Sequence, residues 1–175
     1  MQGVFKIVTI IQFLIYLSNG LFAPAWYKIL LERGGSIDQF GFLFGLVALG
    51  SVFSAYIASW FSDKFEPLGV LSAAISLQGL VMLLYIPVQN LYGVYVLQIL
   101  YGMLSAALIT LQQILIKKYS AGHTSIGLHN SIIQVAVGVA MISSGFVVTQ
   151  IGTASMIITA AIILVGASIY THFWK

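Results

Sequence analysis

The sequence predicts an all-α membrane protein of six transmembrane helices, arranged as two inverted three-helix repeats. Three observations carry that prediction. Of the 175 residues, 60% are hydrophobic and 6% charged, whereas soluble domains carry about a quarter charged residues. The charges are confined to Lys6, the segment Lys28 to Asp38, the segment Asp63 to Glu66, Lys117–Lys118 and Lys175, which leaves 7–27, 39–62, 67–116 and 119–174 uncharged. A membrane helix needs roughly 20 apolar residues, so the two shorter stretches hold one span each and the two longer ones hold two each. Finally, the spans fall in two trios at a common spacing.

Span one covers about 4–31. Lys6 precedes a long apolar run, and Pro24 is expected to kink its outer end. Ala23-Pro24-Ala25 has the small-residue pattern of a cleavage site, but the run is too long and its polar residues too ordered for a signal peptide. Span two covers about 38–62. It opens at Ser36-Ile37-Asp38-Gln39, which fits a capping box, and Gly41 and Gly45 form a GxxxG pair of the kind that permits close helix packing. Span three covers about 67–86 and is broken from span four by Pro87 and Asn90. Span four covers about 91–116 and ends at Lys117–Lys118. Span five covers about 125–150, and span six about 152–174 follows a break between Gln150 and Thr153.

The starts of spans four to six follow those of spans one to three by about 86 residues, dividing the single domain 1–175 into repeats 1–88 and 89–175. At that offset Gln12 falls on Gln98, Asn19 on Ser105, Gly41 on Gly127 and Ser59 on Gly145. Three spans per repeat is an odd number, so the second repeat is inverted. Inverted three-span repeats are the plan of several transporter folds, with binding near the midplane where repeats meet.

Six spans place both termini on one side, with the connectors around 63–66 and 117–123, the latter including Ser120. That side carries Lys6, Lys64, Lys117, Lys118 and Lys175, against Lys28 and Arg33 opposite. The positive-inside rule therefore puts both termini in the cytoplasm of a multi-pass protein of the cell membrane. Trp26, Tyr27, Tyr85 and Tyr92 fit the outer interface, and Trp60, Tyr119 and Trp174 the inner one.

Several function classes are excluded. Without cysteine there is no disulfide, thiolate zinc site or thiol nucleophile. No phosphate loop, metal-ligand spacing or nucleophile–base pattern is present, so neither an enzyme nor a cofactor is expected. No basic patch tracks a phosphate backbone, so nucleic acid is not an expected partner.

Polar residues within the spans form stripes. Gln12, Tyr16 and Asn19 lie within about 60° of one another on span one. Gln98, Tyr101, Ser105 and Gln112 line span four, and Asn130 and Gln134 share a face of span five with Gly138. Spans three and six are more uniformly apolar. Such residues hydrogen-bond between membrane helices at about 0.6 kcal/mol each; collectively, three striped helices favour a polar cavity over helix glue. A neutral amide and phenol lining suits a sugar or other hydroxylated solute, and its apolar-aromatic part suits a lipophilic drug. No carboxylate or lysine lies at mid-membrane. His129, about one turn inside span five, is expected at the cytoplasmic interface.

The stretch Ser59-Trp60-Phe61-Ser62-Asp63-Lys64-Phe65-Glu66-Pro67-Leu68 resembles the loop signature G-x-x-x-D-[RK]-x-G-R-[RK] of the major facilitator superfamily. Ser59 stands at the glycine, Asp63 at the aspartate and Lys64 at the first basic position, while Glu66, Pro67 and Leu68 replace the rest. Gln98-Ile99-Leu100-Tyr101-Gly102 keeps the glycine of the R-x-x-x-G found in span four of that superfamily. Gly138 and Gly145 resemble the glycine-spaced fifth span of efflux members, and Gly122 to Ser131 is similar to the entry of that span in sugar and drug efflux members. The resemblance implies half of a twelve-span fold, more like a C-terminal half. It further implies that spans one, two, four and five line a pathway, that spans three and six face lipid, and that Asp63 steadies contact between halves. The expected partners are lipid, a small solute and a second six-helix half, whether another copy or a sister subunit. The alternative is a membrane protein that transports nothing, a truncated fragment or an assembly partner.

Overall fold

The computed structural model describes residues 2–119 and 122–174. Ser120, expected in an inner connector, and Lys175 lie outside the described residues. Six helices follow in order: α1 (Gln2–Glu32), α2 (Gln39–Lys64), α3 (Pro67–Leu84), α4 (Leu91–Tyr119), α5 (His123–Ile151) and α6 (Thr153–Phe173). All six are long and apolar enough to cross a bilayer. Their bounds agree with the spans read from the sequence to within a few residues.

Local chemistry explains where the helices stop. In hydrocarbon every backbone polar group needs an internal partner, so breaks are confined to the ends. The Asn90 side chain caps α4, its Oδ1 accepting from Gly93 N–H at 2.7 Å. Before α2 half of the expected capping box forms: Gln39 Oε1 accepts from Ser36 N–H at 3.2 Å. Between α5 and α6 only Gly152 intervenes, at φ 85, a left-handed conformation that a residue without Cβ adopts at little cost. Pro67 opens α3 at its first turn, where its missing N–H is no loss.

The packing has a regular plan. α1 lies against α5 and α6, just as α4 lies against α2 and α3. α3 and α6 pack along one another, and α2–α3 and α5–α6 touch more lightly. Each of these contacts is matched when α1, α2 and α3 are exchanged for α4, α5 and α6.

Backbone close approach holds the α2–α4 pair. A Cβ at Gly102 would overlap the Val47 carbonyl, and one at Gly50 would overlap the Ile99 carbonyl. The expected GxxxG contact does not form: a Cβ at Gly41 or Gly45 would meet nothing within 4 Å, and the same holds at Gly138 and Gly145. The α1–α5 crossing uses Pro24. Lacking an N–H, it frees the Gly20 carbonyl one turn back. Ser144 Oγ of α5, which donates to its own helix's Met141 carbonyl at 3.0 Å, lies 3.4 Å from the Gly20 carbonyl and shares its hydrogen with it.

Hydroxyls lock α3 to α6. Ser72 Oγ donates to the Ser168 carbonyl at 3.1 Å, and Ser168 Oγ returns a bond to the Ser72 carbonyl at 2.9 Å. Spans three and six, expected to face lipid, each expose only one side. Leu77, Leu80 and Leu84 of α3 and Ile158, Ile162 and Ile169 of α6 are exposed, whereas the opposite faces form much of the core. Buried residues make up 44% of the spanning window in both α3 and α6, against 17% in α2 and 28% in α5. The least covered helices are therefore α2 and α5.

A polar cleft face on α1, α4 and α5

Two adjoining clefts run along the less covered side, and they share Tyr16. The lower, about 180 Å³, lies toward the start of α1 and α5 and the end of α4. Its polar lining is Gln12, Tyr16, Gln112, Gln113, His129, Asn130 and Gln134, with Ile109, Ile116 and Ile133 between them. The upper, about 320 Å³, is more apolar: Trp26, Phe44, Val47 and Met141 stand beside Asn19, Gln98 and Tyr101. Neither cleft is lined by Asp, Glu, Lys or Arg.

Seven of the eight residues predicted to line a cavity therefore lie on one or the other cleft: Gln12, Tyr16, Asn130 and Gln134 below, Asn19, Gln98 and Tyr101 above. The helical spacing explains this, since a stripe at 3–4-residue intervals stays on one side of its helix. Ser105 is the exception. It turns to α3, where its Oγ accepts from Gln78 Nε2 at 3.2 Å.

Gln78 corrects the reading of span three. Expected to face lipid, it is fully buried, and its Nε2 also donates to Asn19 Oδ1 at 3.1 Å. Tyr101 OH donates to the same oxygen at 3.2 Å. One amide from α3 thus ties α1 to α4 directly behind the upper cleft. Phe22 sits between the rings of Tyr85 and Tyr101, at 5.2 and 5.3 Å between centroids, and buttresses the phenol. A lone glutamine in an otherwise apolar span was the available signal: unpaired in hydrocarbon it would be costly, so it seeks the bundle interior.

Gln12 and Gln98 are 2% and 1% exposed, and the Nε2 of each has no partner among the described residues. Both lie against a cleft. Sealed amide donors without acceptors are uncommon and costly, and these two stand at the 86-residue offset read between the two trios of spans.

His129 also departs from expectation. Its depth in α5 is as read, but its side chain is 2% exposed rather than at the water interface. It packs between α5 and α1, with Nδ1 3.0 Å from Thr9 Oγ1 and the ring 5.9 Å from that of Phe5.

The signature residues Ser59, Asp63 and Lys64 are helical, not in a loop. α2 continues through Lys64, so only Phe65 and Glu66 connect it to α3. Ser59 Oγ donates back to the Ala55 carbonyl at 3.0 Å, and Asp63 is exposed. Lys64 Nζ lies 3.7 Å over the Trp60 ring, a cation–π contact at the interface, where its charge also complements the helix C-terminus. Among the described residues no group of three or more metal-ligating side chains is assembled.

The sequence model of the Major Facilitator Superfamily matches residues 8–175, which spans all six helices. No curated protein and no solved structure matches the chain significantly. With six apolar spans and a family match over nearly its whole length, this integral, multi-pass membrane protein has a transporter-type fold and belongs to the major facilitator superfamily.

Proposed function

We propose that the chain is a six-span half of a secondary carrier, moving a small neutral organic solute by alternating access when its cleft face meets a second six-span half. The observation that carries this reading is the gathering of polar side chains from α1, α4 and α5 along two uncharged clefts. Polar groups facing hydrocarbon are costly, so a second half over that face, enclosing a wet pathway, resolves the cost. The matched contacts of α1–α3 and α4–α6 support the inverted repeats 1–88 and 89–175, and because the closest packing runs between the repeats the six helices move as one body against the second half.

The clefts favour an amphipathic solute. Amides and a phenol below suit hydroxyl groups, while Trp26, Phe44, Val47 and Met141 above suit an apolar portion. A glycoside or a hydroxylated drug-like molecule has that form. Lysines at the inner helix ends support cytoplasmic termini in the cell membrane, and the segment Gly122 to Ser131 supports the efflux direction.

Cross-linking in native membranes tests the pairing. Phe44→Cys on α2, 52% exposed in the bundle and lining the upper cleft, should join to a second copy or a sister half through a short bis-maleimide. A chain that stays monomeric under conditions that cross-link a known membrane dimer would contradict the reading.

A further inference from the structure

The lower cleft contains one group whose hydrogen-bonding role is set by a neighbour. Thr9 Oγ1 lies 2.9 Å from the Phe5 carbonyl, as helical threonines do when they bond back one turn, and 3.0 Å from His129 Nδ1. A hydroxyl has one hydrogen and two lone pairs. If that hydrogen goes to the Phe5 carbonyl, Nδ1 carries its own hydrogen and donates to Thr9, so both contacts are bonds. If instead the hydrogen goes to Nδ1, the Phe5 contact is lost. The two-bond arrangement is favoured, and it fixes the neutral ring as the Nδ1–H tautomer. Nε2 is then a bare lone pair. It has no partner among the described residues and is not one of the sealed unpartnered atoms.

His129 lines two clefts: the lower one, with Gln12, Tyr16, Gln112 and Gln113, and a neighbouring one of about 520 Å³ with Phe5, Lys6, Thr9 and Ser125. No carboxylate stands on either side of the ring to favour imidazolium. The amides and the phenol of the lower cleft can each donate or accept; His129 Nε2 can only accept.

We propose that Thr9 holds His129 as the Nδ1–H tautomer, making Nε2 a dedicated acceptor in the lower cleft for a hydroxyl or N–H donor of the solute. This inference rests on the carrier reading for its solute, but its tautomer stands or falls separately. Its test is ¹⁵N-histidine NMR on the full chain in lipid nanodiscs, in mildly alkaline buffer where imidazole is uncharged. With three histidines in the sequence, loss of one signal set in His129→Gln assigns the ring. A protonated Nδ1 and a pyridine-type Nε2 are expected. Thr9→Ser should retain that pattern and Thr9→Val should lose it. Hexyl β-D-glucopyranoside, which carries hydroxyl donors and an apolar tail, should move the Nε2 signal saturably toward the hydrogen-bonded position. Its tetra-O-methyl analogue, with acceptors only, should not. An Nε2–H tautomer in the parent, or a Thr9→Val variant like the parent, would overturn the inference whatever the state of pairing. Equal responses to both probes, or none to either, would overturn the donor-recognition role. Failure to cross-link at position 44 with these signals intact would instead count against the paired carrier.

Discussion

Gln78→Ala should destabilise the bundle. The side chain is fully buried, and its Nε2 makes two bonds, to Asn19 and Ser105. At about 0.6 kcal/mol for each interhelical bond in a membrane protein, their loss costs roughly 1 kcal/mol. Truncation also leaves a void where α1, α3 and α4 meet, worth roughly another 1–2 kcal/mol. The sum, about 2–3 kcal/mol, corresponds to a fall in Tm on the order of 5–10 °C for a chain of this size. Gln78→Leu separates the two contributions. It keeps most of the volume and loses the same two bonds, so it omits the void's share of the cost, while the sealed, unpartnered Oε1 is removed in both variants and does not distinguish them. That variant should melt within a few degrees of the parent. Thermal unfolding of both in one detergent is the assay. An unchanged Tm for Gln78→Ala would refute the buried network and return this side chain to the lipid face.

The remaining predictions concern packing, topology and the clefts. Gly102→Leu should abolish monodisperse extraction because its side chain must displace the Val47 backbone, whereas Gly45→Leu, in open space, should extract as the parent does; equal yields would contradict the α2–α4 crossing. Ser36→Cys should react with an impermeant reagent from outside intact cells and Glu66→Cys only after permeabilisation, and the reverse pattern would invert the orientation. Once a transported solute is in hand, Gln12→Ala and Gln98→Ala should each weaken its binding by roughly 1 kcal/mol, the worth of one neutral hydrogen bond. A drop in Tm without that loss of affinity would make both residues helix glue. Asp63→Asn should slow transport more than Lys117→Gln at equal abundance; equal rates would make Asp63 an ordinary exposed helix end.

Much of the fold was legible because a bilayer imposes strong rules on sequence. Charges, Pro87 and Asn90 mark ends since hydrocarbon admits neither charge nor open backbone, and helical periodicity alone puts Gln12, Tyr16 and Asn19 on one face. What was not legible depends on partners distant in sequence. Gln78 belongs to a span expected to face lipid; its role follows from Asn19 and Ser105, 59 and 27 residues away. His129 looked interfacial because depth can be counted along a helix, whereas cover by Thr9, 120 residues away, cannot. Glycine spacing misled for a similar reason: Gly41 and Gly45 have the motif, yet the close crossing falls at Gly50 and Gly102, where the axes happen to approach. The Asp63–Lys64 pair read as a loop because charge suggests water, but the last turns of α2 reach the interface while still helical.

The reactivity of a single thiol at position 134 discriminates most directly between a transport pathway and a helix bundle in lipid. Gln134 is exposed in the chain alone and lines the lower cleft. Covered by a second half and hydrated, Gln134→Cys will ionise and react with a membrane-impermeant methanethiosulfonate in native membranes, because the thiolate is the reactive form. Ile162→Cys, on the exposed face of α6, will not. If both thiols stay unreactive while Glu66→Cys in a permeabilised control is labelled, the cleft face lies against hydrocarbon and the paired carrier is contradicted.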